Sequence, residues 1–151
     1  MTGSEYAKLV AAHVLRAYGP RGVRVYREVT LGKTIIGKNR RVDVLLVHEP
    51  SNVAMAIECK YQDSAGTVDE KIPYALEDLG ALGMPVLLVY AGEGFSEGIQ
   101  HMLAASPIAA RCMPQLELPV GASETRELDV AVAMTFRFWD VIVAGKTPFE
   151  G

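Results

Sequence analysis

Cysteine is nearly absent from this chain. Cys59 and Cys112 are the two in 151 residues, at no ligand-like spacing, which excludes a zinc motif and a disulfide framework and suits free thiols in a reducing compartment. Histidine is equally scarce: His13, His48 and His101 are scattered, leaving nothing from which to build a histidine-based nuclease or a metal cage. No apolar run approaches the ~20 residues of a membrane span. The first five residues lack the basic segment and apolar core of a secretory signal, so the expectation is a soluble, cytoplasmic protein. Repeats, linkers and low-complexity stretches are missing as well. Gly32-Lys33-Thr34 is not a phosphate loop, because the preceding spaced glycine and the strand-to-helix context are lacking. Net positive charge is missing too: 15 Lys and Arg face 18 Asp and Glu, a net charge of −3. That is an awkward balance for a chain that grips phosphates.

What is present is ordinary in bulk. Half of the residues are hydrophobic and 22% are charged, which excludes disorder and fits an α/β protein. The length suits one domain over residues 1–151 with a proper core. The charge is uneven along the chain. Arg16, Arg21, Arg24, Arg27, Lys33, Lys38, Arg40 and Arg41 precede residue 43, whereas acids dominate later. A basic N-terminal face fits a local DNA footprint, although a charge run is as readily a solvated face.

Hydrophobic periodicity orders the elements. A helix is expected over residues 5–18, capped by Ser4 and striped by Tyr6, Leu9, Val10, His13 or Val14, and Ala17. Residues 22–31 alternate as a strand, and residues 32–39 form a glycine-punctuated hairpin arm. Strands follow at 41–47 and 53–61, joined by Glu49-Pro50-Ser51-Asn52. Thr67-Val68-Asp69-Glu70 matches a capping box for a helix running towards Leu82, with Pro73 an uncomfortable interior residue. Residues 85–90 read as a buried strand, 95–105 as a helix, and 107–119 as containing one strand. Residues 124–144 read as a final helix.

The chemistry concentrates in the two central strands. Asp43 interrupts Val42 and Val44, and Glu58 and Lys60 interrupt an otherwise apolar run. Side chains alternate along a strand, so Glu58 and Lys60 point the same way. Charges in apolar β-structure are costly unless paired or bound to something. A same-face ion pair worth ~0.5 kcal/mol is the plain alternative for Glu58 and Lys60. It loses ground because Asp43 lies on the neighbouring strand across a tight turn. Two carboxylates and a lysine there suit a hard divalent cation and a polarised water.

Asp43 followed by Glu58-Cys59-Lys60 resembles the signature of the PD-(D/E)XK nuclease superfamily. Val42 stands in place of its proline, a change that leaves the metal chemistry intact. Tyr61-Gln62 and Gly66-Thr67-Val68-Asp69-Glu70-Lys71 resemble a pattern of microbial and phage members. The resemblance covers roughly the first ninety residues. It implies a mixed β-sheet flanked by helices with a restriction-endonuclease-like core. It also implies a metal-dependent DNA endonuclease in which Asp43 and Glu58 bind Mg2+ or Mn2+ and Lys60 assists the attacking water. The Cys59 carbonyl, rather than its thiol, completes the metal shell in that picture. Gln62, on the Lys60 face, and Glu28, on the first strand, are supporting candidates; Glu5 resembles a helical acid of the family, and Lys71 is within range of a phosphate if its helix borders the cleft. DNA is the implied partner. So small a catalytic core is expected to dimerise. The alternative is a nuclease fold retained for binding or assembly without catalysis.

Overall fold

The computed structural model describes residues 1–115 and 118–151. The chain runs α1 (Gly3–Tyr18), a 3-10 turn (Gly19–Arg21), β1 (Val23–Lys33), β2 (Asn39–His48), β3 (Val53–Tyr61), α2 (Val68–Gly80), β4 (Val86–Ala91), α3 (Glu97–Ala105), β5 (Ala109–Arg111), α4 (Arg126–Phe136) and α5 (Trp139–Ile142). The five strands lie in sequence order. β1, β2 and β3 pair antiparallel through short connections, and β3, β4 and β5 pair parallel through helical crossovers, as parallel neighbours require. The result is the expected mixed sheet flanked by helices.

Each face of the sheet carries its own core. Val44, Leu46, Ile57, Cys59, Leu87 and Val89 pack against α1 and α4. Leu88 packs on the opposite face with Ile72, Ala75 and Leu79 of α2 and Leu103 of α3. β4 is apolar throughout because both of its faces are covered.

Four local expectations need correction. Thr2, not Ser4, caps α1: its hydroxyl accepts the Glu5 N–H at 3.1 Å while the Glu5 carboxylate accepts the Thr2 N–H at 2.6 Å. This reciprocal pair satisfies two exposed amides where Ser4 would satisfy one. The capping box at Thr67 does not form, since the Thr67 side chain makes no cap bond. The Asp69 amide instead donates to Gln62 Oε1 at 3.2 Å. The expected helix over residues 124–144 is broken at Arg137, which is left-handed (φ 65°) and ends α4. Phe136 and Phe138 are both buried, and a continuous helix would point residues two apart about 200° from each other. Finally, half of the eight cations of the basic N-terminal face are paired with acids. Arg21, Arg24, Arg40 and Arg41 pair with Asp140, Glu49, Asp78 and Glu28.

Pro73 sits inside α2 without ending it. The strand expected within residues 107–119 is β5, and Leu116 and Glu117 of that stretch lie outside the described residues. Among the described residues, no helix is long and apolar enough to cross a membrane.

α1 and α4 are also joined by a buried polar cluster. Asp129 Oδ1 accepts the Tyr18 hydroxyl at 2.7 Å and lies 2.9 Å from His13 Nε2. Its Oδ2 accepts the Thr125 hydroxyl at 2.7 Å and the Gly121 N–H at 3.1 Å.

Candidate active site

The site begins where a ladder stops. β2 and β3 pair from His48↔Val53 to Val44↔Ile57, and no further. One step on, the same register would set Asp43 opposite Glu58. That is a position of the type that exchanges no backbone bonds and brings side chains closest. Instead of the next backbone bond, the Cys59 N–H donates to Asp43 Oδ2 at 2.8 Å. A side chain has replaced a strand, so β2 peels away from β3 and a gap opens with two carboxylates at its rim.

β1 bends at the same level. Arg27 pairs with Val44 and Val29 with Val42, which places Glu28 across from Asp43. Glu28 has φ 57°, a left-handed conformation that costs a non-glycine residue roughly 1–3 kcal/mol and collects at functional sites. Beyond this kink the β1–β2 ribbon wraps over α2. Arg40 has the strand parity of Val42, Val44 and Leu46, of which Val44 and Leu46 pack on the α1 face, yet its guanidinium grips Asp78 of α2 through two bonds of 2.8 and 3.0 Å.

Lys60 completes the cluster. Its Nζ lies 3.5 Å from Glu58 Oε1, and both side chains keep 21% exposure. They are open enough to meet a substrate and buried enough to feel each other. Burial pushes the Glu58 carboxyl up to about 8, the neighbouring Asp43 adds to the shift, and Lys60 only partly opposes it. Cys59 turns its thiol into the core, and burial raises that thiol well above its ordinary value. Because its N–H points at Asp43, its carbonyl points to the same edge of β3.

Gln62 lies two residues past Lys60, but it is buried and its amide is engaged within the fold. Nε2 donates to Gly94 O at 2.8 Å and Asp69 Oδ1 at 3.1 Å, and Oε1 accepts the Asp69 N–H. Asp69 in turn accepts the Ser96 N–H. Gly92 (φ 110°) allows this junction, since a Cβ there would collide with the Gln62 backbone. The ends of β3 and β4 and the start of α2 are thereby tied into one rigid unit behind Lys60. Glu28 is exposed and bonds Arg41 at 2.8 Å. Glu5 serves the α1 cap, and Lys71 is exposed.

Among the described residues, no three His, Cys, Asp or Glu converge as a metal cage. The oxygen donors gathered at the gap are the Asp43 and Glu58 carboxylates, with the Cys59 carbonyl on the same edge of β3, and oxygen is the donor type that hard divalent cations take. The apolar groove of about 580 Å3 lined by Met55, Met84, Ile108, Val130 and Met134 does not include any of these residues. The triad sits in the middle of the sheet, just past the last β2–β3 pair, at the gap where the two strands part.

Comparison with known proteins fits this picture. A model of the PD-(D/E)XK nuclease superfamily domain matches residues 2–139. No curated protein matches significantly. Among solved structures, the crystal structure of a protein of unknown function, AF1548, is similar at a TM-score of 0.47 and 16% identity, with 85% of this chain and 67% of that one covered. A repair endonuclease from Pyrococcus abyssi is similar at a TM-score of 0.40 and 19% identity, with 74% of this chain and 47% of that one covered.

Proposed function

The chain belongs to the PD-(D/E)XK nuclease superfamily, and we propose that it is a metal-dependent endonuclease that hydrolyses phosphodiester bonds in DNA. One observation carries this reading: Asp43 and Glu58 meet where β2 leaves β3, with Lys60 Nζ 3.5 Å from Glu58 Oε1. Asp43, Glu58 and the Cys59 carbonyl would hold Mg2+ or Mn2+. Such an ion supplies Lewis acidity at a phosphoryl oxygen and lowers the pKa of a coordinated water.

The protein's own groups do the rest. Asp43 is oriented by the Cys59 N–H, so one carboxylate oxygen stays free for the cation. With a cation held between the two carboxyls, Glu58 would be ionised, since the burial and the like charge that raise it would then be opposed. Lys60 faces the same gap. It orients the attacking water and stabilises the negative charge that grows on the phosphate as the new P–O bond forms and the deoxyribose oxygen departs. Gln62 and Glu28 act as positioning residues, through the strand end and the kink. Cutting both strands of a duplex with one such site calls for a second copy, which keeps a homodimer part of the proposal.

The test is cleavage of supercoiled plasmid, linear duplex, single-stranded and four-way-junction DNA with magnesium or manganese. Products that vanish with chelator, with Asp43→Ala and with Lys60→Ala are expected. Binding that persists without cutting on every substrate would overturn catalysis in favour of an assembly role.

A further inference from the structure

Between Glu28 and Asp43 lie four cations, Lys33, Lys38, Arg40 and Arg41, and no acid. With −3 on the whole chain, this segment of +4 leaves −7 on the remainder. Arg40 and Arg41 are paired with Asp78 and Glu28. Lys33 donates to Asn39 Oδ1 at 2.7 Å, and among the described residues neither Lys33 nor Lys38 meets an acid.

Between the two lysines are Ile35 and Ile36, 44% and 63% exposed. They occupy the tip of a tight turn, closed by Thr34 N–H to Lys38 O at 2.7 Å and Gly37 N–H to Thr34 O at 2.9 Å. The tip is clamped. The Ile35 N–H donates to Asp78 Oδ1 at 2.9 Å, on the same carboxylate that Arg40 grips. This is a stiff, cationic, apolar-tipped finger on an otherwise acidic molecule, and it is continuous with the strand that carries Asp43. At ~3.3 Å per residue, Lys38 stands about 17 Å from Asp43 along β2, the length of about five base pairs.

We propose that this finger grips duplex DNA about five base pairs from the scissile phosphate, with Lys33 and Lys38 on backbone phosphates and Ile35 and Ile36 wedged into the minor groove. The inference rests on the nuclease reading above. Lysines position a protein on DNA without reading sequence, and apolar side chains pressed between base steps kink it. The overall acidity of the chain then confines DNA to the finger and the site.

The test uses Asp43→Asn protein, so that binding is seen without cutting, with labelled duplex over a range of salt concentrations. Adding Lys33→Ala/Lys38→Ala should weaken binding about tenfold and flatten the plot of log affinity against log salt by about 1.8, or ~0.9 for each lost phosphate contact. Adding Ile35→Ser/Ile36→Ser should weaken binding with the slope unchanged. It should also abolish the fluorescence rise of a base analogue placed at the expected wedge position. An unchanged affinity and slope in the lysine variant overturns the proposal. So does an isoleucine variant whose binding loss tracks a fall in mass by ultracentrifugation, which would make the tip a contact between copies. If the lysine pair proves silent while Asp43→Ala still abolishes cutting, the finger fails and the nuclease stands. If the unsubstituted protein cuts nothing yet the lysine pair changes the slope, the finger stands and the hydrolytic reading fails.

Discussion

Two acidic clusters lie on opposite layers of this molecule, and they differ in how well their oxygens are satisfied. Asp129 is buried, and burial alone would raise its pKa. Bonds from His13, Thr125, Tyr18 and Gly121 overcome that and hold it below the ordinary carboxylate range. Glu58 is raised first by burial and then by the neighbouring Asp43, and Lys60 at 3.5 Å only partly opposes them, so its pKa is pushed up to about 8. The first cluster is complete and cross-links α1 to α4. The second sets two carboxyls against one lysine. What separates the two carboxyls is the supply of hydrogen-bond donors around each.

Four substitutions sharpen or break this contrast. The largest effect is expected from Asp43→Asn, whose amide oxygen can still accept the Cys59 N–H. Cleavage should fall by ~10^3-fold with the melting temperature preserved, and a variant that cuts normally would remove Asp43 from the site. Asp129→Asn should show the opposite profile. It leaves buried donors short of acceptors, at a cost of about 3 kcal/mol, or ~6–12 °C in melting temperature, with rate per folded molecule unchanged. Its penalty should shrink in acid. Asp129 has a lowered folded pKa, so its contribution is present above the unfolded value of 3.8 and is lost as pH falls through the folded one. Calorimetry of the variant against pH checks both statements.

Glu58→Gln tests the other sign. The folded pKa near 8 lies above the unfolded 4.5, so the folded state binds more protons between these values and stability falls as pH rises through that window. The Gln variant cannot ionise and should exceed the parent by about 1–3 kcal/mol near pH 8, with no advantage near pH 4. Equal melting curves at both pH values would show that Glu58 is not held neutral. The smallest effect belongs to Gln62→Leu, which strips Asp69 N–H and Gly94 O of a partner. About 1 kcal/mol of stability should go, with kcat lowered and metal affinity, measured by titration calorimetry, unchanged. A loss of metal affinity would move Gln62 into the metal site.

Much of this was legible in the residues. The first three strands follow from alternation, β-rich runs and turn chemistry, the apolar run of β4 announced a strand covered on both faces, and β5 was placed only within residues 107–119. The period of two placed Glu58 and Lys60 together, and the short turn after β2 brought Asp43 beside them. Legibility failed where partners are remote. Gln62 has the parity of Lys60, yet Gly94 and Asp69 engage it inside the fold. Glu28 continues the alternation of β1 until its positive φ breaks it. Arg40 counted towards a basic face until Asp78, 38 residues on, claimed it. Asp129 was one acid among many, with nothing nearby to show that His13 lies against it from 116 residues away.

The sequence by itself determined most of the helices and strands and the common face of Glu58 and Lys60 on β3, because those depend on local backbone geometry. Only the tertiary structure decided which charges were satisfied and which were left wanting, because the donors that settle a buried carboxylate come from parts of the chain that folding alone brings within bonding distance.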